Sequence, residues 1–313
     1  MLMSIELKAG SLSPRYWPTW LWIGLLRSVV LLPHSWRLRI GRMLGRLLYR
    51  LAGSRRRVVA TNLKLCFPEK SDQQRRQMVR EVFEHNGIGV LEVAMAWWLP
   101  DNRLLHRYRL IGEQHLKQAQ QEGKGVILLS AHFPTLDLGP RLLMEHYPVD
   151  CVYRPHNNPA LEAVIKKGRR RYAGQAIERH NMRAMVRRLK HGNIIWYAPD
   201  QDHGPTHSVY APFFGVEAAT VTATARLARL SGAKVMMFCQ HRCEDGSYEL
   251  EIFPPLEDFP SGDDRLDCSR VNAEIERGIR KFPSQYMWVH RRFKTHPKGK
   301  NYLYRRDAET ADS

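Results

Sequence analysis

The residue pair best suited to chemistry in this sequence is His132 and Asp137, five positions apart in the segment AHFPTLD. Residues 126–129 form a short apolar run, which predicts a buried strand ending just before the histidine. Side chains at the carboxyl end of a parallel strand project into a crevice of an α/β sheet. We therefore predict that the Asp137 carboxylate turns back to one imidazole nitrogen and makes His132 a general base. A simple capping arrangement is the alternative.

Polar side chains follow two other predicted strands. Arg154 follows residues 149–153, and Asp200 and Asp202 follow residues 193–197. Arg154 could pair with a phosphate or with a developing oxyanion, or form a surface ion pair. Asp200 and Asp202 are candidates for orienting substrate. Their D-x-D spacing would also suit Mg²⁺, but so basic a chain has little need of a metal to neutralise phosphate, and we predict no metal site.

The charge of the chain indicates an acidic partner. Its 313 residues carry 49 Lys+Arg against 31 Asp+Glu, a formal net charge of +18. Such a chain attracts nucleic acid, an anionic membrane or an acidic protein. Basic residues cluster at 166–171 and recur up to residue 188, so Arg169 and Arg179 are candidates for binding substrate phosphates or an acidic partner. A solvated basic face is the alternative.

Other chemistries find little support in the sequence. Five scattered cysteines favour reduced thiols over a disulfide framework. Cys239 and Cys243 lie near one another, but no second ligand pair stands at zinc spacing. The sequence has no G-x-S-x-G nucleophile elbow and no glycine-rich phosphate loop.

The N-terminal part predicts membrane contact. Residues 16–33 are apolar except for Thr19, Arg27 and Ser28, and they are just long enough to cross a bilayer, although Arg27 disfavours a span. Residues 36–51 form a basic amphipathic helix. A single-pass anchor, an interfacial helix and a buried core helix all remain open for the first segment, and a core helix with a solvated arginine face for the second. The charge after the apolar segment places the rest of the chain in the cytoplasm.

Beyond residue 109, strand and helix patterns alternate. Helices are predicted over 113–121, 137–146, 159–172, 181–191 and 219–230, with a long helix from Ser71 towards Trp98 before them. Residues 233–241 and 248–253 predict a hairpin. The alternation predicts an α/β fold with a mainly parallel central sheet flanked by helices and closed by an antiparallel edge. We divide the chain into an anchor with its amphipathic helix (1–57), a catalytic domain (58–298) and a loose polar tail (299–313).

Several segments together resemble a known family. AHFPTLD resembles the H-x-x-x-x-D box of glycerolipid-type acyltransferases. More specific segments resemble the lipid A biosynthesis lauroyl/myristoyl acyltransferases: NLKLCFPE (62–69), YRP (153–155), APDQDHG (198–204), ARLARLSGA (225–233) and QYMWVHRRFK (285–294). The resemblance extends from the anchor to about His296.

The resemblance implies an enzyme of the inner membrane, on its cytoplasmic face, with a glycerolipid acyltransferase-like fold. It implies transfer of a fatty acyl chain from acyl carrier protein to a hydroxyl of a lipid A precursor. His132 would be the base and Asp137 its partner, with Arg154 and Asp200 near the site. Because the thioester is already activated, we expect no cofactor.

Two rival functions are weighed against this one. The same histidine box would serve an acyltransferase for another glycolipid or a glycerophospholipid. A membrane-tethered nucleic-acid-binding protein would also explain the charge, but the aromatic residues are not interleaved with the basic runs as a stacking platform requires. We therefore expect no nucleic-acid partner.

Overall fold

A computed structural model of the chain describes residues 12–104, 107–170 and 174–309. The start of the predicted anchor (1–11), Tyr172 at the predicted end of one helix and the last four residues of the tail lie outside this part. The helices are α1 (Trp17–Val30), α2 (His34–Leu51), α3 (Gly53–Cys66), α4 (Asp72–Trp98), α5 (Asp101–Leu104), α6 (Glu113–Gln121), α7 (Leu138–Leu143), α8 (Pro159–Arg169), α9 (Met182–Lys190), α10 (Ala223–Ser231), α11 (Asp264–Lys281) and α12 (Tyr302–Glu309). The strands are β1 (Tyr108–Ile111), β2 (Val126–Leu129), β3 (Val149–Tyr153), β4 (Ala176–Glu178), β5 (Ile194–Tyr197), β6 (Ser208–Phe213), β7 (Val216–Val221), β8 (Lys234–Arg242) and β9 (Tyr248–Pro255).

Seven of these strands form one central sheet in the order β1-β9-β8-β2-β5-β3-β4. Strands β8, β2, β5, β3 and β4 are parallel, whereas β9 is antiparallel to β8. The mainly parallel sheet and the β8–β9 hairpin confirm the predicted architecture. The antiparallel strand is not the edge, however, because β1 pairs beyond it and parallel to it.

Strand β2 lies at the centre of the molecule. All four of its side chains are fully buried. Ile127 and Leu129 pack into the apolar cluster on one face of the sheet, and Val126 and Leu128 into the cluster on the other. This alternation is the period of two that a strand imposes, with helices covering both faces. The predicted strand that positions His132 is confirmed.

Helix α4 begins and ends where the sequence predicts. Ser71 caps its first turn by accepting the backbone N–H of Gln74, whose side chain accepts the N–H of Ser71 in return. Helix α2 packs closely against α4 through glycines: a Cβ added to Gly45 would lie 2.3 Å from the carbonyl oxygen of Phe83, and one added to Gly87 would lie 2.3 Å from the backbone of Gly41. The predicted basic amphipathic helix is therefore held on the domain by backbone-to-backbone packing.

Two predicted helices differ clearly in the structure. The helix expected over 219–230 begins at Ala223, because Val216–Val221 pairs with β6 in a hairpin. The hairpin is held by Arg292, which donates to the carbonyl of Ala219 and the hydroxyl of Thr220. The helix expected over 137–146 is only Leu138–Leu143.

The tail after residue 298 was expected to be loose, but it contains α12. The hydroxyl of Tyr304 donates to the side-chain carbonyl of Asn62 at 2.6 Å and accepts the backbone N–H of Phe293. These two hydrogen bonds of Tyr304 explain why the polar tail is ordered against α3.

Helix α1 packs against α4 and α8 through Ile23, Leu26 and Val30, which are buried. Asn158, at the start of α8, donates to the hydroxyl of Thr19. Among the described residues, none of the helices combines the length and apolar character that crossing a bilayer requires.

Candidate active site

Four loops meet at the carboxyl edge of the parallel strands. His132 follows β2, Asp200 follows β5, Arg154 follows β3 and Arg179 follows β4. Because β2 and β5 are adjacent and parallel, the first two of these residues come from neighbouring strands. This edge of the sheet therefore brings His132 and Asp200 side by side, although they are 68 positions apart in sequence.

His132 is held by both oxygens of the Asp200 carboxylate. Its Nδ1 lies 2.6 Å from Oδ1, and its backbone N–H donates to Oδ2 at 3.0 Å. The Asp200 side chain is fully buried, whereas that of His132 is 25% exposed. Within the described part of the chain, Nε2 of His132 contacts no hydrogen-bonding partner. This nitrogen is therefore available to a substrate hydroxyl.

The two groups shift each other's pKa. Burial by itself would lower the pKa of His132, but the Asp200 carboxylate more than offsets it and raises that pKa above its ordinary value. Burial would raise the pKa of Asp200, yet the imidazole and the hydrogen bonds to it lower that pKa below its ordinary value. The carboxylate is therefore ionised and would stabilise an imidazolium if His132 took up a proton.

The predicted contact between His132 and Asp137 is wrong. Asp137 is buried and its Oδ1 accepts from Nε of Arg169 at 2.8 Å, so it is the carboxylate of a different pair. The residues after His132 form a turn that leads into α7. Asp137 lies immediately before the first residue of this helix. The acid that orients the imidazole comes instead from the neighbouring strand. Arg169, predicted as a substrate-binding residue, is placed beside Asp137.

The structure adds a residue to which we assigned no chemistry. The hydroxyl of Tyr286 donates to Oδ2 of Asp200 at 2.8 Å, and both side chains are buried. The next residue, Met287, donates its backbone N–H to the carbonyl of His132 at 2.9 Å. Tyr286 lies in the segment QYMWVHRRFK, which carried part of the resemblance. Because this segment follows no predicted strand, its spacing gave no reason to place it at the site.

Asp202 holds the loop after β5 through partners other than His132. Its carboxylate accepts the backbone N–H and the hydroxyl of Thr295, and its own N–H donates to Nε2 of His290. Burial lowers the pKa of His290 to about 4, despite the opposing charge of Asp200. His290 is therefore neutral, and its Nε2 is already bound by a backbone N–H.

The two remaining predicted arginines lie on the same edge but outside this pair. Arg154 is exposed directly after β3. Arg179 donates its Nε to His180 at 3.0 Å. The charge of Arg179 also adds to the effect of burial in lowering the pKa of His203, which follows Asp200 in the same loop. Arg179 is therefore a neighbour of the site.

Nothing in the described ranges resembles a metal site, since no group of three or more His, Cys, Asp or Glu side chains is arranged to hold an ion. All five cysteines are free thiols, Cys239 and Cys243 included. Ser130 is buried and its hydroxyl donates to the carbonyl of Phe238 at 3.0 Å, which explains it as a structural residue.

Nearly the whole chain is similar to known proteins of one family. The family model for bacterial lipid A biosynthesis acyltransferases matches residues 5–295. The lipid A biosynthesis lauroyltransferase of Escherichia coli K12 is 43% identical over 290 residues, which cover 92% of this chain and 95% of the relative. The palmitoleoyltransferase of the same strain is 40% identical, over 94% of this chain and 96% of the relative.

A third relative is more distant. The lipid A biosynthesis myristoyltransferase of Escherichia coli K12 is 30% identical over 297 residues, which cover 94% of this chain and 92% of the relative. All three matches span nearly the full length of both chains, and the family model includes the loops that carry His132, Asp200 and Tyr286. This chain therefore belongs to the bacterial lipid A biosynthesis acyltransferase family.

Proposed function

We propose that the protein transfers a fatty acyl chain from acyl carrier protein to a hydroxyl group of a lipid A precursor, with His132 as the general base. The observation that carries this proposal is the His132–Asp200 pair, in which Nδ1 is bound by a buried carboxylate and Nε2 is left for a substrate. Membership of the family supports the class of reaction and of acceptor.

The pair accounts for each proton in the reaction. Nε2 of His132 takes the proton of the acceptor hydroxyl as its oxygen attacks the carbonyl carbon of the thioester. The new C–O bond forms, the C–S bond breaks, and the imidazolium returns the proton to the departing thiolate. Asp200 keeps the proton on Nδ1 throughout and stabilises the positive charge between the two transfers. The thioester itself supplies the activated acyl group.

An acidic carrier protein as donor is supported by the surface beside the site. Helix α9 follows β4, so its first turn lies at the catalytic edge of the sheet. Arg183, Arg187 and Lys190 are exposed at spacings of four and three, which places them on one face of the helix. A face with three cations beside the site complements an acidic carrier.

Phosphates of the acceptor would be bound by arginines of the same edge. Arg154 and Arg179 lie in the loops next to the catalytic pair, and Arg169 is fixed by Asp137. In this proposal Asp137 acts by positioning Arg169, and Asp202 by holding the loop that carries Asp200. An arginine so placed would also stabilise the negative charge that develops on the thioester oxygen.

The protein would act on the cytoplasmic face of the inner membrane, with α1 and α2 in the interface. In the described part of the chain, twelve of the fifteen exposed large hydrophobic side chains lie between residues 12 and 51. Helix α1 is packed against α4 and α8, so its exposed apolar face belongs to the surface of the domain. Arginines of α2 and α3 would meet anionic head groups around this face.

The proposal is tested with purified full-length protein, acyl-loaded carrier protein and a lipid A precursor, with the acceptor followed by mass spectrometry. The wild type is expected to add the mass of one acyl chain. His132→Ala should lose at least about a hundredfold in turnover because no other group takes the hydroxyl proton.

A matched control is His290→Ala, which removes a neighbouring histidine whose Nε2 is already occupied. Turnover by His132→Ala close to that of the wild type would rule out the base. Acylation of a glycerophospholipid in preference to the lipid A precursor would rule out the proposed acceptor.

A further inference from the structure

Tyr286 is an unusual neighbour for a catalytic carboxylate because its whole side chain is in the interior. It is 4% exposed, and its ring packs against Phe133 and Trp288 with the planes nearly perpendicular. Its hydroxyl donates to Oδ2 of Asp200, the same oxygen that receives the backbone N–H of His132. The rings on either side leave the hydroxyl in one place, so the hydrogen bond to Asp200 is fixed.

We infer that Tyr286 is a positioning residue that holds Asp200 in the orientation from which it binds His132, and that it sets how strongly the carboxylate attracts the imidazole proton. This inference rests on the proposed role of His132 as base. The catalytic array is then a chain of three side chains, Tyr286–Asp200–His132, in which only the last one reaches substrate.

Geometry supports a role beyond packing. The two oxygens of Asp200 bind different groups, since Oδ1 binds Nδ1 of the imidazole, whereas Oδ2 binds a backbone N–H and the tyrosine. Rotation of the carboxylate would break all three bonds together. The segment that carries Tyr286 is also tied to His132 through the Met287 N–H, so a single segment contacts both members of the catalytic pair.

The hydrogen bond also has an electrostatic effect with a definite sign. Donation from the phenol stabilises the ionised carboxylate and draws part of its charge away from the imidazole. Without this donor, Asp200 would attract the proton on His132 more strongly, and the pKa of His132 would rise further. Other groups near the three side chains are His203, His290, Lys294, Arg179, Arg292 and Cys66. The substitution Tyr286→Phe replaces none of these side chains.

The inference is tested by NMR titration of the His132 imidazole in the purified full chain, assigned by the signal that His132→Ala removes. In Tyr286→Phe the midpoint is expected to move upward, and kcat should fall about tenfold with KM nearly unchanged, because substrate does not touch the phenol. Replacement of Tyr286 by 3-fluorotyrosine, a stronger donor, should move the midpoint downward.

Tyr304→Phe is the control, since its hydroxyl is also hydrogen-bonded in the interior but contacts Asn62 and Phe293. It should leave the midpoint in place. A midpoint in Tyr286→Phe that stays at the wild-type value overturns the inference whatever happens to turnover. Normal turnover by His132→Ala would overturn the proposed base instead, and the titration would still report on Tyr286.

Discussion

Asp200 accepts three hydrogen bonds from two residues, and each restricts a different freedom of the site. The bond to Nδ1 selects the tautomer of His132, the bond to its backbone N–H fixes the loop, and the bond from Tyr286 fixes the carboxylate. In the proposed reaction, a histidine held in this way would meet the acceptor hydroxyl with the same nitrogen and in the same direction at every turnover. Such preorganisation removes the cost of orienting the base during the reaction.

Replacement of Asp200 by asparagine should lower both turnover and the pKa of His132. The amide no longer offsets the effect of burial, so the midpoint of the acid limb of kcat/KM should move from above the ordinary histidine value to below it. Turnover above that limb should fall on the order of a hundredfold, because the tautomer is no longer fixed. The pH–rate profile of the purified protein measures both effects.

Asp137→Asn is the control for this prediction, because it removes a buried carboxylate that pairs with Arg169. It should leave the histidine midpoint unchanged, as read by NMR if turnover is low. An upward shift in Asp200→Asn, or equal shifts in the two variants, would contradict the assignment of Asp200 as the orienting acid.

The sequence predicted that His132 follows a buried strand, which is confirmed. The predicted partner of its imidazole, Asp137, was wrong. A carboxylate five residues away is visible in the sequence, whereas the adjacency of β2 and β5 depends on strand order, which no local pattern contains. Tyr286 was hidden for the same reason. It lies between α11 and α12, directly after a short 3₁₀ helix (Pro283–Gln285), and follows no strand.

The pairing of α2 with α4 depends on close approach of two backbones. Gly41 and Gly45 on one helix face Gly87 on the other, and an added Cβ at any of the three would lie within 2.6 Å of the opposite backbone. Because backbone atoms cannot move aside as a flexible side chain does, the helices themselves would have to separate.

Gly45→Ala should therefore lower the free energy of unfolding by about 1–3 kcal/mol. Gly24→Ala is the matched control: it lies inside α1, and its added Cβ would meet nothing within 4 Å. That change should be neutral or stabilise by up to about 1 kcal/mol through helix propensity. Chemical denaturation of the two variants measures the difference, and equal effects would argue against close packing of α2 on α4.

Helix α4 shows which elements a sequence can specify. Its capping box, its length and its end at Trp98 are all local, and the prediction is confirmed at both ends. The β6–β7 hairpin is the opposite case. Residues 219–221 continue a helical pattern, but Arg292 and Asn272 hold this stretch as a strand through hydrogen bonds from the distant C-terminal part.

At the scale of the whole molecule, the exposed large hydrophobic side chains of the described residues are concentrated between residues 12 and 51. The exposed apolar side chains of α1 and α2 lie in one continuous stretch of chain, whereas the described surface elsewhere carries only Ile111, Leu230 and Leu266 as exposed large hydrophobic residues. Residues of α8 contact α1 directly. A lipid surface beneath α1 would therefore lie beside the loops that we propose bind the acceptor.

Glutamate at Leu21 and Leu25, which are 78% and 54% exposed on α1, should weaken binding to vesicles of anionic phospholipid. The two leucines would bury apolar area in the lipid interface, and a charged carboxylate at either position disfavours that burial. Leu266→Glu, at a leucine that is 51% exposed on α11, is the control and should bind as the wild type does. Flotation of protein with vesicles measures the bound fraction. Equal binding by all three proteins would contradict a membrane surface on α1.

The contacts of residues 286–290 determine when the site can form during synthesis of the chain. The carbonyl of His132 and the carboxylate of Asp200 both accept hydrogen bonds from this segment. The side-chain amide of Asn62 donates to the carbonyls of Trp288 and His290. A nascent chain still on the ribosome therefore carries the histidine box long before its imidazole is fixed. Translation that stops short of Tyr286 would yield a product that contains the histidine box but lacks the donors that hold the carboxylate of Asp200 and the carbonyl of His132.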